Sequence, residues 1–360
     1  MHKLKKTTTM KNIMIMKKII VLIIILTVCD AFSQDIHLSQ TLMTPLLINP
    51  ANAGSEYTMR GILNYRSQWG SVTNPFNTMM ASYDMQFKPK KESKVGYFAG
   101  GLYAFMDEAG ESSTKTTQIN LSGAYHVRIS PKNTLGLGIQ GGYFQRSSNI
   151  SNLKWGSQFD GFQYNSTFES NEANGANKLS FGTTDFTSGL VWTYRNDEKY
   201  LSGKKLLINA GLSMHHLTKP KVEFQNVFPD QLHYRWIGHA NAIIGISPKV
   251  TLLPYVFYSR QGAINEIMFG SNVLYNLNEA SKYTENVKGM AVGGGLFYRW
   301  NDAVVALIMM EYANYTFSFS YDINTSSLND ASGKQGAYEI AIRYVYPNPF
   351  GGVKSKARFN

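Results

Sequence analysis

The chain has 360 residues, with 35 Lys and Arg against 24 Asp and Glu, 31 Gly, 22 Tyr, 20 Phe and one Cys. Six of the basic residues and one acidic residue precede residue 34, so the formal charge of +11 falls to +6 beyond it, which is no nucleic-acid footprint. A lone cysteine also excludes a disulfide framework and a thiolate zinc site.

At the N-terminus, Lys3, Lys5, Lys6, Lys11, Lys17 and Lys18 precede an apolar run from Ile19 to Val28, the pattern of a secretory signal. Ala31 and Ser33 have the spacing a signal peptidase requires, which predicts a signal peptide over 1–33 and a mature chain from Gln34. Met10 is a second candidate start. Val28 stands before Cys29 where a lipoprotein signal has a small residue, which favours the plain signal.

Residues 34–56 alternate little, and Pro45 and Pro50 break any regular element. Leu42, Met43, Leu46, Leu47 and Ile48 require burial, which favours a plug inside a barrel over a docking strip at its periplasmic mouth.

From residue 57 onward the pattern has period two. Tyr315, Phe317, Phe319, Tyr321 and Ile323 share one face, opposite Thr316, Ser318, Ser320 and Asp322. Strands are predicted at 57–66, 77–88, 95–106, 115–129, 134–146, 182–194, 205–217, 234–247, 250–259, 264–276, 288–299, 302–311, 314–323 and 336–346. A soluble sandwich alternates too, so length and aromatic placement decide. Most of these strands reach the ~9–11 residues that cross a bilayer at a tilt, whereas the longest apolar run after residue 33, Ala303–Met310, falls far short of the ~20 residues of a spanning helix. Trp69, Trp192, Trp236 and Trp300 stand at strand ends, as in interfacial girdles. The predicted fold is therefore all-β, a transmembrane antiparallel barrel of about fourteen strands over 57–346, with a tail at 347–360.

Tight turns around Ser130–Asn133, Ser247–Lys249 and Trp300–Asp302 are expected on the periplasmic side, and the long connections 147–181, 218–233 and 277–287 outside. Inward-facing Arg128, Glu339, Arg343 and Asp322 are expected to pair within the lumen.

Gly136-Leu137-Gly138-Ile139-Gln140-Gly141 spells a dinucleotide fingerprint, but inside a strand it has no helix N-terminus to receive a pyrophosphate. Those glycines are expected to make room in a crowded wall. His215 and His216, adjacent on a strand, are expected on opposite faces and unable to share an ion; His233 and His239 are possible further partners. No nucleophile elbow appears. Neither a catalytic residue nor a metal or cofactor is expected.

Gln34-Asp35-Ile36-His37-Leu38-Ser39-Gln40, then Ile48-Asn49-Pro50-Ala51-Asn52-Ala53-Gly54-Ser55, followed by Tyr65-Arg66-Ser67-Gln68-Trp69 and Ser82-Tyr83-Asp84, resembles the PorP/SprF family of the type IX secretion and gliding machinery. Met214–Pro220, Gly294–Arg299, Ser320–Leu328 and Tyr338–Tyr344 carry the resemblance to the end of the chain. Asn52 stands where a Tyr is more typical, and the tail beyond Pro347 is a second departure. The resemblance singles out Ser39, Gln40, Asn49, Pro50, Ala51, Gly54, Arg66, Trp69, Tyr321 and Asp322 as signature positions, structural or interacting. It implies a Gram-negative outer-membrane protein that works with translocon or periplasmic-ring components to export or retain large surface adhesins bearing a C-terminal sorting domain. The alternative is a channel or transporter for a small or hydrophobic solute.

Overall fold

The computed structural model describes residues 35–70, 74–87, 95–110, 113–149, 153–169, 178–197, 205–222, 231–278, 289–326 and 335–346. The expected signal over 1–33, Gln34 and the tail 347–360 lie outside the described residues.

Fourteen strands follow one another: β1 Met59–Gln68, β2 Phe76–Phe87, β3 Gly96–Ala109, β4 Thr114–Arg128, β5 Asn133–Asn149, β6 Lys178–Asp197, β7 Lys205–His215, β8 Arg235–Gly245, β9 Val250–Gln261, β10 Ile264–Asn278, β11 Met290–Arg299, β12 Ala303–Tyr312, β13 Tyr315–Asn324 and β14 Gln335–Tyr346. Each pairs antiparallel with its sequence neighbours, and β1 pairs with β14 from Met59↔Tyr346 to Gln68↔Ala337 to close the barrel. Closure leaves no sheet edge for lipid to face.

The wall is inside out compared with a soluble protein. On β13 the aromatic and aliphatic set Tyr315, Phe317, Phe319, Tyr321 and Ile323 is 38–47% exposed, while Thr316, Ser318, Ser320 and Asp322 are 0–5% exposed. Such a surface is stable only against hydrocarbon. Trp236 and Trp300 face outward near one rim and Trp192 near the other, at the depths where amphipathic rings gather.

Odd strands run away from the rim where β1 begins and β14 ends; even strands return to it. The connections 129–132, 246–249 and 313–314 therefore share the terminal rim, and the two longest, 150–177 and 216–234, share the opposite one, the loop rim. Two sequence expectations are corrected by this parity. The turn at Trp300–Asp302 lies at the loop rim, and the long connection after β10 lies at the terminal rim. Length alone does not fix the side of a connection; its place in the strand count does.

Depth within the wall sets the cost of a charge. Ile308→Arg, at the middle of β12 and outward-facing, is expected to lower stability by about 2–4 kcal/mol, whereas Tyr312→Arg at the rim costs about 0–1 kcal/mol. Denaturant titration of folding into liposomes measures both.

Candidate functional site

Before β1 the chain makes three short helical pieces, Thr41–Met43, Pro45–Ile48 and Pro50–Asn52. Proline stands at the first position of the last two, where its missing N–H costs nothing. Asn49 caps the third, its Oδ1 accepting the Ala51 N–H at 2.9 Å. This run from Ile36 to Glu56 is packed against inward-facing side chains of strands all round the wall. Leu38, Leu46 and Ala53 join Met80, Ala99, Tyr103 and Phe105, and Met43 and Ile48 join Ile62, Ile237, Phe257 and Met268.

Toward the loop rim, Ser39 is the centre of a buried charge network. Its hydroxyl donates to Asp322 Oδ2 (2.6 Å) and accepts from Arg66 (2.7 Å) and Arg299 (2.9 Å), which uses the full capacity of that oxygen. The backbone N–H groups of Ser39 and Gln40 donate to the two oxygens of Glu339, at 2.5 and 2.8 Å. Arg66 also bridges Glu339 (2.5 Å) and Asp322 (3.2 Å), while Arg299 reaches Asp322 (3.0 Å) and pairs with Asp302. Gln40 completes the layer, accepting from Ser318 and donating to Ser320 and the Glu339 carbonyl. Two guanidinium groups thus face two buried carboxylates, with Asp302 at the rim supplying a third.

Midway, Asn49 grips the wall itself, because its Nδ2 donates to the carbonyls of Leu190 (2.9 Å) on β6 and Leu212 (3.3 Å) on β7. The approach is possible because Gly189 and Gly211 are bare: a Cβ on Gly189 would lie 2.1 Å from Asn49 Oδ1, and one on Gly211 2.6 Å from its Nδ2. Gly138 has the same role for the next residues, since a Cβ there would lie 2.3 Å from the Ala51 nitrogen. Gly136 makes room for the ring of His126, whose Nε2–H donates to the Ala53 carbonyl at 2.7 Å. Two of the three fingerprint glycines therefore open inward; Gly141 instead lies beneath the ring of Phe186.

Near the terminal rim, the Gly54 N–H donates to Asp84 (2.9 Å), with Gly54 at φ +63°, a conformation that favours glycine. Asp84 is held by Arg60 (2.8 Å), which also pairs with Glu56 (3.3 Å) and donates to the Asn52 carbonyl. Arg60 and Arg343 flank the ring of Tyr57 at 5.3 and 5.6 Å, and Arg343 pairs with Glu311 at 3.1 Å. Arg195 donates to the Glu56 carbonyl and Asn241 to its carboxylate.

Eight of the ten signature positions thus lie in this interior, spread over its three layers: Ser39, Gln40, Asn49, Pro50, Ala51, Gly54, Arg66 and Asp322. Two do not. Tyr321 faces outward, and Trp69 lies at the loop rim at φ +58°, edge-on to Phe76 and donating its backbone N–H to the Gly336 carbonyl. Of the charges expected inside, Glu339, Asp322 and Arg343 are there, while Arg128 is exposed at the terminal rim. His215 and His216 are not on opposite faces: β7 ends at His215, His216 turns to φ +58°, and both are buried. His216 pairs with Asp185 at 2.9 Å, and His215 approaches Thr187, Ser213 and the Ile48 carbonyl. Sequence reasoning did not single out Arg60, Arg195, Arg299 or the glycines at 189 and 211 as partners of this interior. Alternation puts Arg60 and Arg299 on the inward face and could have flagged them.

Among the described residues, one small cavity lies beside this segment. Bounded by Ile36, His37, Leu38, Arg235 and Glu266, it has about 20 Å³ of space, the scale of one water molecule. Burial holds His37 well below the ordinary imidazole range, and Arg299, Arg66 and Arg235 push in the same direction.

A family model described as type IX secretion system membrane protein PorP/SprF matches residues 31–344. A search of curated proteins finds no match. Among solved structures, the Ralstonia pickettii toluene transporter TbuX aligns with a TM-score of 0.44 at 10% identity, over 84% of this chain and 92% of its own. The translocator domain of the autotransporter NalP from Neisseria meningitidis aligns at 0.40 and 10%, over 80% and 88%. A Pseudomonas aeruginosa FadL homologue aligns at 0.41 and 10%, over 83% and 93%.

Glu339→Ala strips two backbone donors and Arg66 of their common acceptor, and is expected to cost about 3–5 kcal/mol in liposome unfolding. For His37 the folded value lies below the unfolded one near ~6.5, so its contribution is intact above that pH and is lost as pH falls through and below it. A comparison of wild type with His37→Gln between pH 8 and 5 is expected to show the smaller loss of stability in the variant.

Proposed function

Because the chain belongs to the PorP/SprF family of type IX secretion system membrane proteins, we propose that it acts by binding, supporting the export or surface attachment of large secreted proteins, and that no catalytic step is its own. It is an outer-membrane β-barrel of that system. What supports the reading is the interior: Ile36–Glu56 is tied to strands around the wall by hydrogen bonds and buried ion pairs, and we read it as a plug. A lumen so filled favours a scaffold over a conduit. The signature residues from Ser39 to Gly54, with Arg66 and Asp322, hold the plug. Partner contacts are then left to the two rims, translocon components at the terminal rim and cargo at the loop rim. That orientation follows the rule that short turns and both ends of an even-stranded barrel are periplasmic.

The test is deletion of the gene, with complementation, followed by mass spectrometry of proteins shaved from intact cells. Loss of one or a few very large surface proteins is expected. An unchanged surface proteome with altered solute uptake would instead establish the transporter reading. In planar bilayers the purified wild type is expected to be silent, and Gly138→Val, whose side chain displaces Ala51, to pass current.

A further inference from the structure

The wall is not level at the loop rim. β5 and β6 pair with each other from Asn133↔Tyr194 out to Asn149↔Lys178, but β7 pairs with β6 only from Asp197↔Lys205 to Ser188↔Met214. One further bond, from the Leu217 N–H to the Phe186 carbonyl (3.0 Å), ends that seam. Beyond it β6 continues toward its start as the border of a two-stranded ribbon, and among the described residues no strand pairs with its outer side. Phe186 bonds toward β7, so Thr184, Gly182 and Ser180, at the same parity, turn both backbone groups to that outer side. Rows of unpaired N–H and C=O groups are a template for another strand.

At Thr183 and Thr184 this edge borders a cleft. A volume of about 420 Å³ lies between Thr183 and Thr184 on one bank and Leu217–Lys221, Gln231 and Tyr234 on the other. The second bank is built: the Lys219 N–H donates to the His216 carbonyl, the Leu232 N–H to the Pro220 carbonyl, and Lys221 bridges Gln231. Lys219 stands over the ring of Tyr234, its Nζ 4.6 Å from the centroid. Among the described residues, both charged side chains lining the cleft are lysines, and no carboxylate is among them.

We propose that the outer edge of β6 at Ser180–Thr184 is a strand-addition site for an extended segment of a partner protein that carries carboxylates. Its backbone pairs with Thr184 and Gly182, its alternate side chains enter the cleft, and its acidic groups meet Lys219 and Lys221. The position, at the loop rim and away from the plug, leaves the interior undisturbed on binding. The inference deepens the binding reading and rests on it, yet its test uses purified protein and stands apart from the cell-surface experiment.

The probes are fluorescent octapeptides alternating Val with Glu, the same with Lys in place of Glu, and a Pro-interrupted Val-Glu control, titrated by anisotropy against the full chain in nanodiscs. The Glu peptide is expected to bind at least tenfold more tightly than either other probe. Thr184→Pro removes one edge donor without touching the ladder to β5, because that N–H points outward. It is expected to weaken the Glu peptide at least tenfold, and Lys219→Glu with Lys221→Glu to reverse the preference toward the Lys peptide. Both variants should keep the heat-modifiable gel migration of a folded barrel. Absence of Glu-peptide binding, equal binding of the three probes, or unchanged binding to folded Thr184→Pro would overturn the proposal.

Discussion

A closed wall that turns its apolar face to lipid has to turn its polar face inward, and every charge that lands there must find a partner without the help of bulk water. This constraint organises the molecule. Arg66 on β1, Arg299 on β11, Asp322 on β13 and Glu339 on β14 come from four strands, three of them contiguous with the closing seam, and none could be left alone in a low-dielectric interior. They converge on Ser39, whose hydroxyl and backbone satisfy the geometry that four side chains cannot satisfy by themselves. The segment before β1 is in this sense the missing half of the wall's hydrogen bonding.

Buried ion pairs are weak evidence for stability, since an apolar set of similar volume often does as well. Their effect here is better described as register. A one-residue slip of β14 against β1 would carry Glu339 to the lipid face and bring Ile340 inward, which exchanges every favourable burial on that strand for an unfavourable one. The seam that closes the barrel joins the two ends of the strand order, and buried charges stand on both of its strands, Arg60 and Arg66 on β1 and Glu339 on β14. The Asn49 clip acts likewise on β6 and β7: its amide reaches two neighbouring carbonyls only if Gly189 and Gly211 stand opposite the segment.

The strands were legible because two solvents, lipid outside and a packed polar interior within, impose period two on the strand residues. All fourteen predicted strands occur, with shifts of a few residues at their ends, and β5 and β6 run longer than the alternation marks. Other features lay beyond a pattern. Ser39 and Glu339 are 300 residues apart, and nothing in either neighbourhood names the other. Connection lengths misplaced Trp300–Asp302 and 277–287 because sidedness is a property of strand parity. The alternation rule failed at His216 because a left-handed residue ends the strand there and returns the next side chain inward. The glycines at 136 and 138 were legible as space; what fills it, a histidine ring and a prolyl-alanyl backbone, required the fold.

The same physics bears on whether the interior opens. To leave the lumen, Ile36–Glu56 would have to expose Leu46, Met43 and Ile48, strand two guanidinium groups against two carboxylates with Ser39 gone, and free the carbonyls that Asn49 caps. Each such loss is individually of order 1–3 kcal/mol for a hydrogen bond or an apolar side chain, and they occur together because the segment is one continuous chain. A gate is ordinarily held by few contacts on one side, so that a modest ligand can move it. Here the contacts ring the segment on all sides and extend from one rim to the other. A segment held in this way can move only if many contacts on several strands break together, which sets it apart from a gate.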